Sequence, residues 1–145
     1  MIDQLTYLPE SLRLGHLAID MQHEVLFALY QELIHSLQNE GDGFELSGIF
    51  AGLNGYVSSH FQYEEELMRT SRYADSSSTA HTAEHRQLTT DVVRLHQRFA
   101  SAQGKDEEKA IAQEVATFLA NWLSHHIAGT DRLFAAHLIE HPASG

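Results

Sequence analysis

Residues 50–67 read Phe50-Ala51-Gly52-Leu53-Asn54-Gly55-Tyr56-Val57-Ser58-Ser59-His60-Phe61-Gln62-Tyr63-Glu64-Glu65-Glu66-Leu67, and this stretch decides the fold. Phe50, Leu53, Val57, His60, Glu64 and Leu67 recur in steps of three and four, the spacing of one helix face. The seam is apolar except at His60 and Glu64, which take core positions one turn apart. A buried imidazole or carboxylate is costly unless something pairs with it. The stretch therefore predicts a helix and, inside its core face, a polar site. Gly48, Gly52 and Gly55 weaken the helix locally, and the pattern stops near Thr70–Tyr73.

Three more seams flank it. Ile19, His23, Leu26, Tyr30, Leu33 and Leu37 form the first, starting near Asp20 as a cap and ending before Gly41-Asp42-Gly43. Asp75–Thr79 reads as a turn and cap cluster. The third seam follows as His81, His85, Leu88, Val92, Leu95 and Phe99, and ends at Gly104. Ile111, Val115, Phe118, Trp122 and His126 form the fourth, beginning near Asp106. No period-two alternation of any length occurs. Four helices with short connections predict an all-α, up-down-up-down antiparallel four-helix bundle with an N-terminal arm. The expected organisation is one domain over 1–145, with the arm at 1–18 and the bundle at about 19–138.

The chain carries 9 basic and 20 acidic residues, for a formal charge of −11. The basic residues are scattered, which argues against a nucleic-acid partner. Cysteine is absent, so disulfides, thiolate ligands, haem attachment and iron–sulfur clusters are excluded. No apolar run is long enough to span a membrane, and the opening Met1-Ile2-Asp3-Gln4-Leu5-Thr6-Tyr7-Leu8 lacks the basic start and apolar core of a secretory signal. A soluble cytoplasmic protein is expected, with His141-Pro142-Ala143-Ser144-Gly145 as a frayed tail.

Eleven histidines are many for this length. Five of them, with two carboxylates, fall where the bundle brings them to one level: His23, His60, Glu64, His81, His85, His126 and Asp131. His23 is early in the first helix, and His60 and Glu64 are late in the second. His81 and His85 are early in the third, and His126 and Asp131 late in the fourth. Alternating helix direction puts all of them at one end of the bundle. His60–Glu64 and His81–His85 are spaced i,i+4 and share a face. His126–Asp131 is spaced i,i+5, roughly 140° apart on an ideal helix. A π-type turn would bring that pair together, with Gly129 easing the distortion. Each residue alone has an ordinary reading, as a surface histidine or, for Glu64, part of a solvated run with Glu65 and Glu66. Only their joint placement points to a metal centre. His96 lies about 16 Å along the axis from His85, His125 points away from His126, and His16, His35, His137 and His141 look peripheral.

Five imidazoles and two carboxylates are too many for one ion and suit two ions sharing the carboxylates. Imidazole suits iron, zinc, copper or nickel, and mixed nitrogen and oxygen ligation without thiolate suits iron. A ferritin-like carboxylate site needs two Glu-x-x-His motifs, and this chain has one, Glu32–His35, off the core seam. Few anionic ligands argue against an oxygen-activating oxidase.

Ile19-Asp20-Met21-Gln22-His23, His60-Phe61-Gln62-Tyr63-Glu64-Glu65, His81-Thr82-Ala83-Glu84-His85 and Trp122-Leu123-Ser124-His125-His126-Ile127-Ala128-Gly129-Thr130-Asp131 resemble the hemerythrins, specifically the small bacterial form. The resemblance spans about residues 12–134. Myohemerythrin is itself a standard example of the four-helix bundle, so resemblance and fold reading are not independent. The resemblance implies two iron ions with an oxo or hydroxo bridge. One would be held by His81, His85 and His126 and the other by His23 and His60, the latter keeping an open position; Glu64 and Asp131 would bridge. It implies reversible dioxygen binding for storage, delivery or scavenging, in a dry pocket walled by Leu26, Phe61, Leu123 and Ile127, where azide or nitric oxide could also bind. No general acid or base is evident there, and no enzymatic role is expected. An oxygen, redox or nitric oxide sensor module and a di-iron enzyme acting on peroxide or nitric oxide are the alternatives. The chain shows no fused signalling domain, which favours the carrier. Tyr7 and Leu8 stand where the family usually has Trp, and Tyr73-Ala74 where it has Tyr-Pro.

Overall fold

The structure is a computed structural model that describes residues 8–38 and 46–141. Tyr7, Gly41-Asp42-Gly43 and the tail from Pro142 onward lie outside the described residues. Helices α1 (Leu17–Gln38), α2 (Leu46–Thr70), α3 (Asp75–Ala100) and α4 (Lys105–Asn121) form the bundle. From α4 the chain runs through a π-helical segment, Trp122–Asp131, into α5 (Arg132–Glu140). The joints at Asn121, Trp122, Asp131 and Arg132 keep right-handed helical dihedrals, so α4, the π segment and α5 make one continuous fourth rod. Helix α1 packs on α2 and α4, α2 on α3, and α3 on α4 and the π segment. This is the up-down-up-down order that short connections favour. Among the described residues there is no strand, and no helix is long and apolar enough to cross a membrane.

Among the described residues, two apolar clusters fill the interior. The larger joins Leu26, Leu33, Phe50, Leu53, Tyr56, Phe61, Val92, Leu95, Val115, Leu119, Trp122, Leu123 and Ile127. The smaller joins Leu14, Ile19, Met68, Phe134, Ala135 and Leu138. The seams that anticipate these clusters are interrupted by polar residues where the two meet. His85 stacks on Phe61 of the larger cluster at 3.9 Å between ring centroids, and His81 meets Phe134 of the smaller edge-on at 5.7 Å. The ligand-type residues thus lie between two dry layers.

Several local expectations change. Helix α1 begins three residues before Asp20, whose carboxylate accepts the backbone N–H of Leu14 at 2.8 Å and of Gly15 at 3.1 Å. Asp20 therefore ties the arm to the first turn rather than capping the helix. Asp75–Thr79 is not a turn but the start of α3; Asp75 sits in the first turn, where negative charge is favoured. The glycines of α2 do not break it. At Gly52 a Cβ would lie 2.7 Å from Leu29 Cδ2, so the missing side chain lets α1 approach closely.

Helix α2 ends on a residue that a sequence does not advertise. Arg72 has φ 58°, the left-handed region. The Tyr73 N–H donates to the Met68 carbonyl at 3.0 Å and the Arg72 N–H to the Arg69 carbonyl at 3.4 Å, a Schellman ending. Tyr73 packs against the cluster that holds Met68, completing the usual apolar contact. Arg72→Gly is expected to stabilise the protein by about 0.5–1 kcal/mol, because relief of the left-handed strain exceeds the entropy that glycine costs. Urea unfolding of the two proteins measures the difference.

Candidate metal centre

Each helix delivers its ligand-type residue where the seam requires it, and all are buried: His23, His60, Glu64, His81, His85, His126 and Asp131. The π segment resolves the awkward spacing. Its wider turn brings the i,i+5 pair together, leaving His126 Nε2 3.1 Å from Asp131 Oδ1. Gly129 is not what permits this. It is exposed, and a Cβ there would meet nothing within 4 Å.

The two carboxylates divide the histidines. Glu64 Oε1 lies 3.4 Å from His81 Nε2 and 3.1 Å from His85 Nε2. Asp131 Oδ1 lies 2.8 Å from His81 Nε2 and 3.1 Å from His126 Nε2. The second oxygens face the other way: Glu64 Oε2 lies 3.4 Å from His60 Nε2, and Asp131 Oδ2 lies 3.0 Å from His23 Nε2. Glu64, His81, His85, His126 and Asp131 thus form one cluster of possible ligand atoms, and His23, His60, Glu64 and Asp131 another, each within 4.8 Å. Each carboxylate reaches both.

These close atoms are mostly not hydrogen-bonded to one another. The Nε2 atoms of His23, His60, His81 and His126, Glu64 Oε2 and both Asp131 oxygens are buried without a hydrogen-bond partner. Buried polar atoms are rarely left so, since each orphan costs about 1–3 kcal/mol. Lone pairs converging on two shared points, at near-contact distance yet misaligned with each other, fit a pair of cations. The donor set of imidazole nitrogen and carboxylate oxygen suits a divalent or trivalent transition metal.

The charge balance follows from this crowding. Burial alone would raise the Asp131 carboxyl, but His126, His23 and His81 outweigh it and hold it well below the ordinary value. Burial and the Asp131 charge push Glu64 up, yet His60, His81 and His85 bring it down on balance. Burial opposes charge on His81, but Asp131 and Glu64 overcome it, and its imidazole is pushed up to about 9. His60 goes the other way, lowered by burial. For the metal-free protein the sign follows. The His81 contribution is fully present below its unfolded value near 6.5 and is lost as pH rises toward about 9. The Asp131 and Glu64 contributions are present above about 4 and are lost on acidification. Stability of chelator-treated protein should therefore fall between pH 6.5 and 9, by about 1–3 kcal/mol. Metal-loaded protein should show no such fall, because ligation demands unprotonated imidazole. Denaturant titrations of both forms at the two pH values check this.

The residues around the ligands were not singled out by sequence. His85 Nδ1 donates to Glu65 at 2.9 Å, and His126 Nδ1 donates to Glu84 at 2.8 Å. Thr130 donates its hydroxyl to the same Glu84 carboxylate, 2.8 Å from one oxygen and 2.9 Å from the other. His60 Nδ1 donates to the side-chain carbonyl of Gln22. Each partner is the chain neighbour of a ligand-type residue on one helix and reaches the histidine of the next. The triplet Glu64-Glu65-Glu66 is thereby split: Glu64 is buried, Glu65 grips His85, and Glu66 pairs with Arg69 on the surface.

Tyr56 was also missed. Its ring stacks on His60 at 4.7 Å between centroids, and its buried hydroxyl has no partner. Burial, then the Asp131 and Glu64 charges, raise its pKa well above the ordinary value, so it stays an O–H donor. Tyr56→Phe should leave the metal-free protein as stable or up to about 1 kcal/mol more stable, since it removes a buried unsatisfied group. Chemical unfolding that shows a clear loss would mean the hydroxyl is satisfied after all.

The expected walls Leu26, Phe61, Leu123 and Ile127 are all buried in the larger apolar cluster. Phe61 lies nearest His85 rather than His60, with centroids 3.9 Å against 5.9 Å apart. The other histidines lie elsewhere. His96 is exposed and stacks on Phe50 at 4.7 Å. His137 donates to the Ser71 carbonyl at 2.9 Å and stacks with His141, and the His16 ring accepts the Ile19 N–H at 3.3 Å. His35 and His125 are exposed.

A family model described as "Hemerythrin HHE cation binding domain" matches residues 15–138. The chain is 31% identical over 115 residues to a bacteriohemerythrin of Methylococcus capsulatus, covering 79% of this chain and 82% of that one. It is 30% identical over 132 residues to a bacteriohemerythrin of Stenotrophomonas maltophilia, covering 91% and 80%. A bacteriohemerythrin of Pseudomonas aeruginosa is 29% identical over 122 residues, covering 84% and 74%. The matched span runs from the Asp20 tie through the π segment to α5, and so contains all seven converging side chains; the chain belongs to the hemerythrin family.

Proposed function

We propose that this chain binds dioxygen reversibly at a non-haem di-iron centre, as a carrier or scavenger rather than an enzyme. The observation that carries the reading is the division of the two carboxylates. One oxygen of each faces His81, His85 and His126, and the other faces His23 or His60. Glu64 and Asp131 would bridge two irons, with an oxo or hydroxo group completing the bridge. When bound, a ferrous pair supplies the electrons that hold dioxygen and recovers them on release.

The chain's own residues determine where an exogenous ligand fits. Three histidines would hold one ion and two the other, so the His23–His60 side, with fewer protein ligands, is where dioxygen or azide would fit. Leu26, Leu123 and Ile127 are buried apolar side chains in the adjoining cluster and would keep water from the centre, while Phe61 covers it from the His85 side. Protein from iron-rich cells should contain about two irons per chain, and the anaerobically reduced protein should gain a visible absorption band on exposure to air that fades on deoxygenation. One zinc and no iron, or no reversible band, would reject the reading.

One observation favours a second reading, an enzyme acting on peroxide or nitric oxide. Tyr56 places a protonated, unpartnered phenol beside His60, a hydrogen-bond donor next to the centre that could orient a bound peroxide or nitric oxide. If Tyr56→Phe lowers turnover of peroxide or nitric oxide while oxygen binding persists, that reading holds.

A further inference from the structure

The hydrogen bonds behind the imidazoles are unequal. In the set of three histidines, His85 and His126 each donate Nδ1–H to a carboxylate, Glu65 at 2.9 Å and Glu84 at 2.8 Å. In the set of two, His60 donates to the neutral amide of Gln22, and His23 Nδ1 is buried with no partner. His81 Nδ1, of the larger set, is also without one. Glu84 is itself held in place by the Thr130 hydroxyl on the π segment. A carboxylate behind an imidazole fixes the tautomer that leaves Nε2 free, and it makes the ring a stronger donor. An amide fixes the tautomer but adds no charge.

We propose that Glu65 and Glu84 are positioning residues that make the His81–His85–His126 set the tighter of two unequal metal positions, so that it loads first and empties last. The inference rests on the reading that the seven side chains hold two ions. Ligand number points the same way, three imidazoles against two, so the loading order alone does not isolate the carboxylates. Their charge does. The Glu65 and Glu84 side chains are 40% and 46% exposed, so water screens them and the effect belongs at the lower end of the 10–100-fold range for such partners.

The test titrates the metal-free protein with Co(II), in competition with a chelator, and extracts two stepwise constants. Glu84→Gln and Glu65→Gln keep size and an acceptor oxygen but remove charge. Each should weaken the first step about tenfold and leave the second unchanged. Gln22→Glu places a charge behind His60 and should tighten the second step about tenfold. Thr130→Val should weaken the first step, by less than Glu84→Gln. Circular dichroism of the metal-free variants checks that each folds. Equal weakening of both steps in Glu84→Gln, or an unshifted second step in Gln22→Glu, overturns the proposal while two Co(II) ions still bind. Fewer than two Co(II) ions in the unmutated protein overturns the two-ion reading, and this proposal with it.

Discussion

Asp131→Ala is expected to strip metal from both positions at once. Its two oxygens address His81 and His126 on one side and His23 on the other, at 2.8, 3.1 and 3.0 Å. Among the described residues, Glu64 is the one other residue that belongs to both sets. Metal bound only to the folded state stabilises it by about 2.7 kcal/mol at a free concentration of a hundred dissociation constants. For a chain of this size that corresponds to roughly 5–10 °C in melting temperature. Asp131→Ala should lose at least this much relative to the loaded parent, together with most of its bound metal. Glu64→Ala should behave likewise, whereas His81→Ala should cost metal at the three-histidine set, where His81 faces Glu64 Oε1 and Asp131 Oδ1. A further loss is expected without metal, because His23, His81 and His126 then lose the carboxylate that offsets their burial. Elemental analysis and thermal melts with and without chelator read both effects. An unchanged metal content would show that Asp131 is not a bridge.

If the centre is the proposed di-iron carrier, Leu123→Asn should retain both irons and shorten the life of the oxygen-binding form. Leu123 lies on the π segment three residues before His126 and is buried within the larger apolar cluster. It offers no ligand atom, so metal content should not change. A buried amide without a partner draws in water. Water and its protons promote irreversible oxidation of an oxygen-carrying centre, so autoxidation should accelerate roughly tenfold. Leu123→Ala should act in the same direction through the space it opens. Stopped-flow and overnight absorption records on protein of matched iron content measure the rate. An unchanged rate at full iron content would mean that dryness at Leu123 does not protect the centre.

The order of helices, the faces they bury and the level of the ligand set were legible along the chain. All three follow from spacing. Steps of three and four keep Phe50, Leu53, His60 and Glu64 on one face, and alternating helix direction brings residues far apart in sequence to one end. The His126–Asp131 spacing even carried its own conflict with α-helical geometry, and the π segment resolves it. Helix ends were less legible. Asp20 and Asp75 have the right chemistry for caps, but where each helix begins depends on contacts that a cap residue does not encode. Arg72 carries no left-handed signature; packing of Tyr73 against the Met68 cluster holds it there.

Only the tertiary structure decided which oxygen of each carboxylate faces which histidines, and which neighbour of a ligand grips the histidine of the adjoining helix. Gln22, Glu65 and Glu84 are ordinary polar residues along the chain, each about 100° around its helix from a core position. Whether such a residue meets solvent or a neighbouring imidazole depends on the offset and rotation between two packed helices. Those are set by side-chain interdigitation across the bundle, as at Gly52 against Leu29, and no periodicity within a single helix records them.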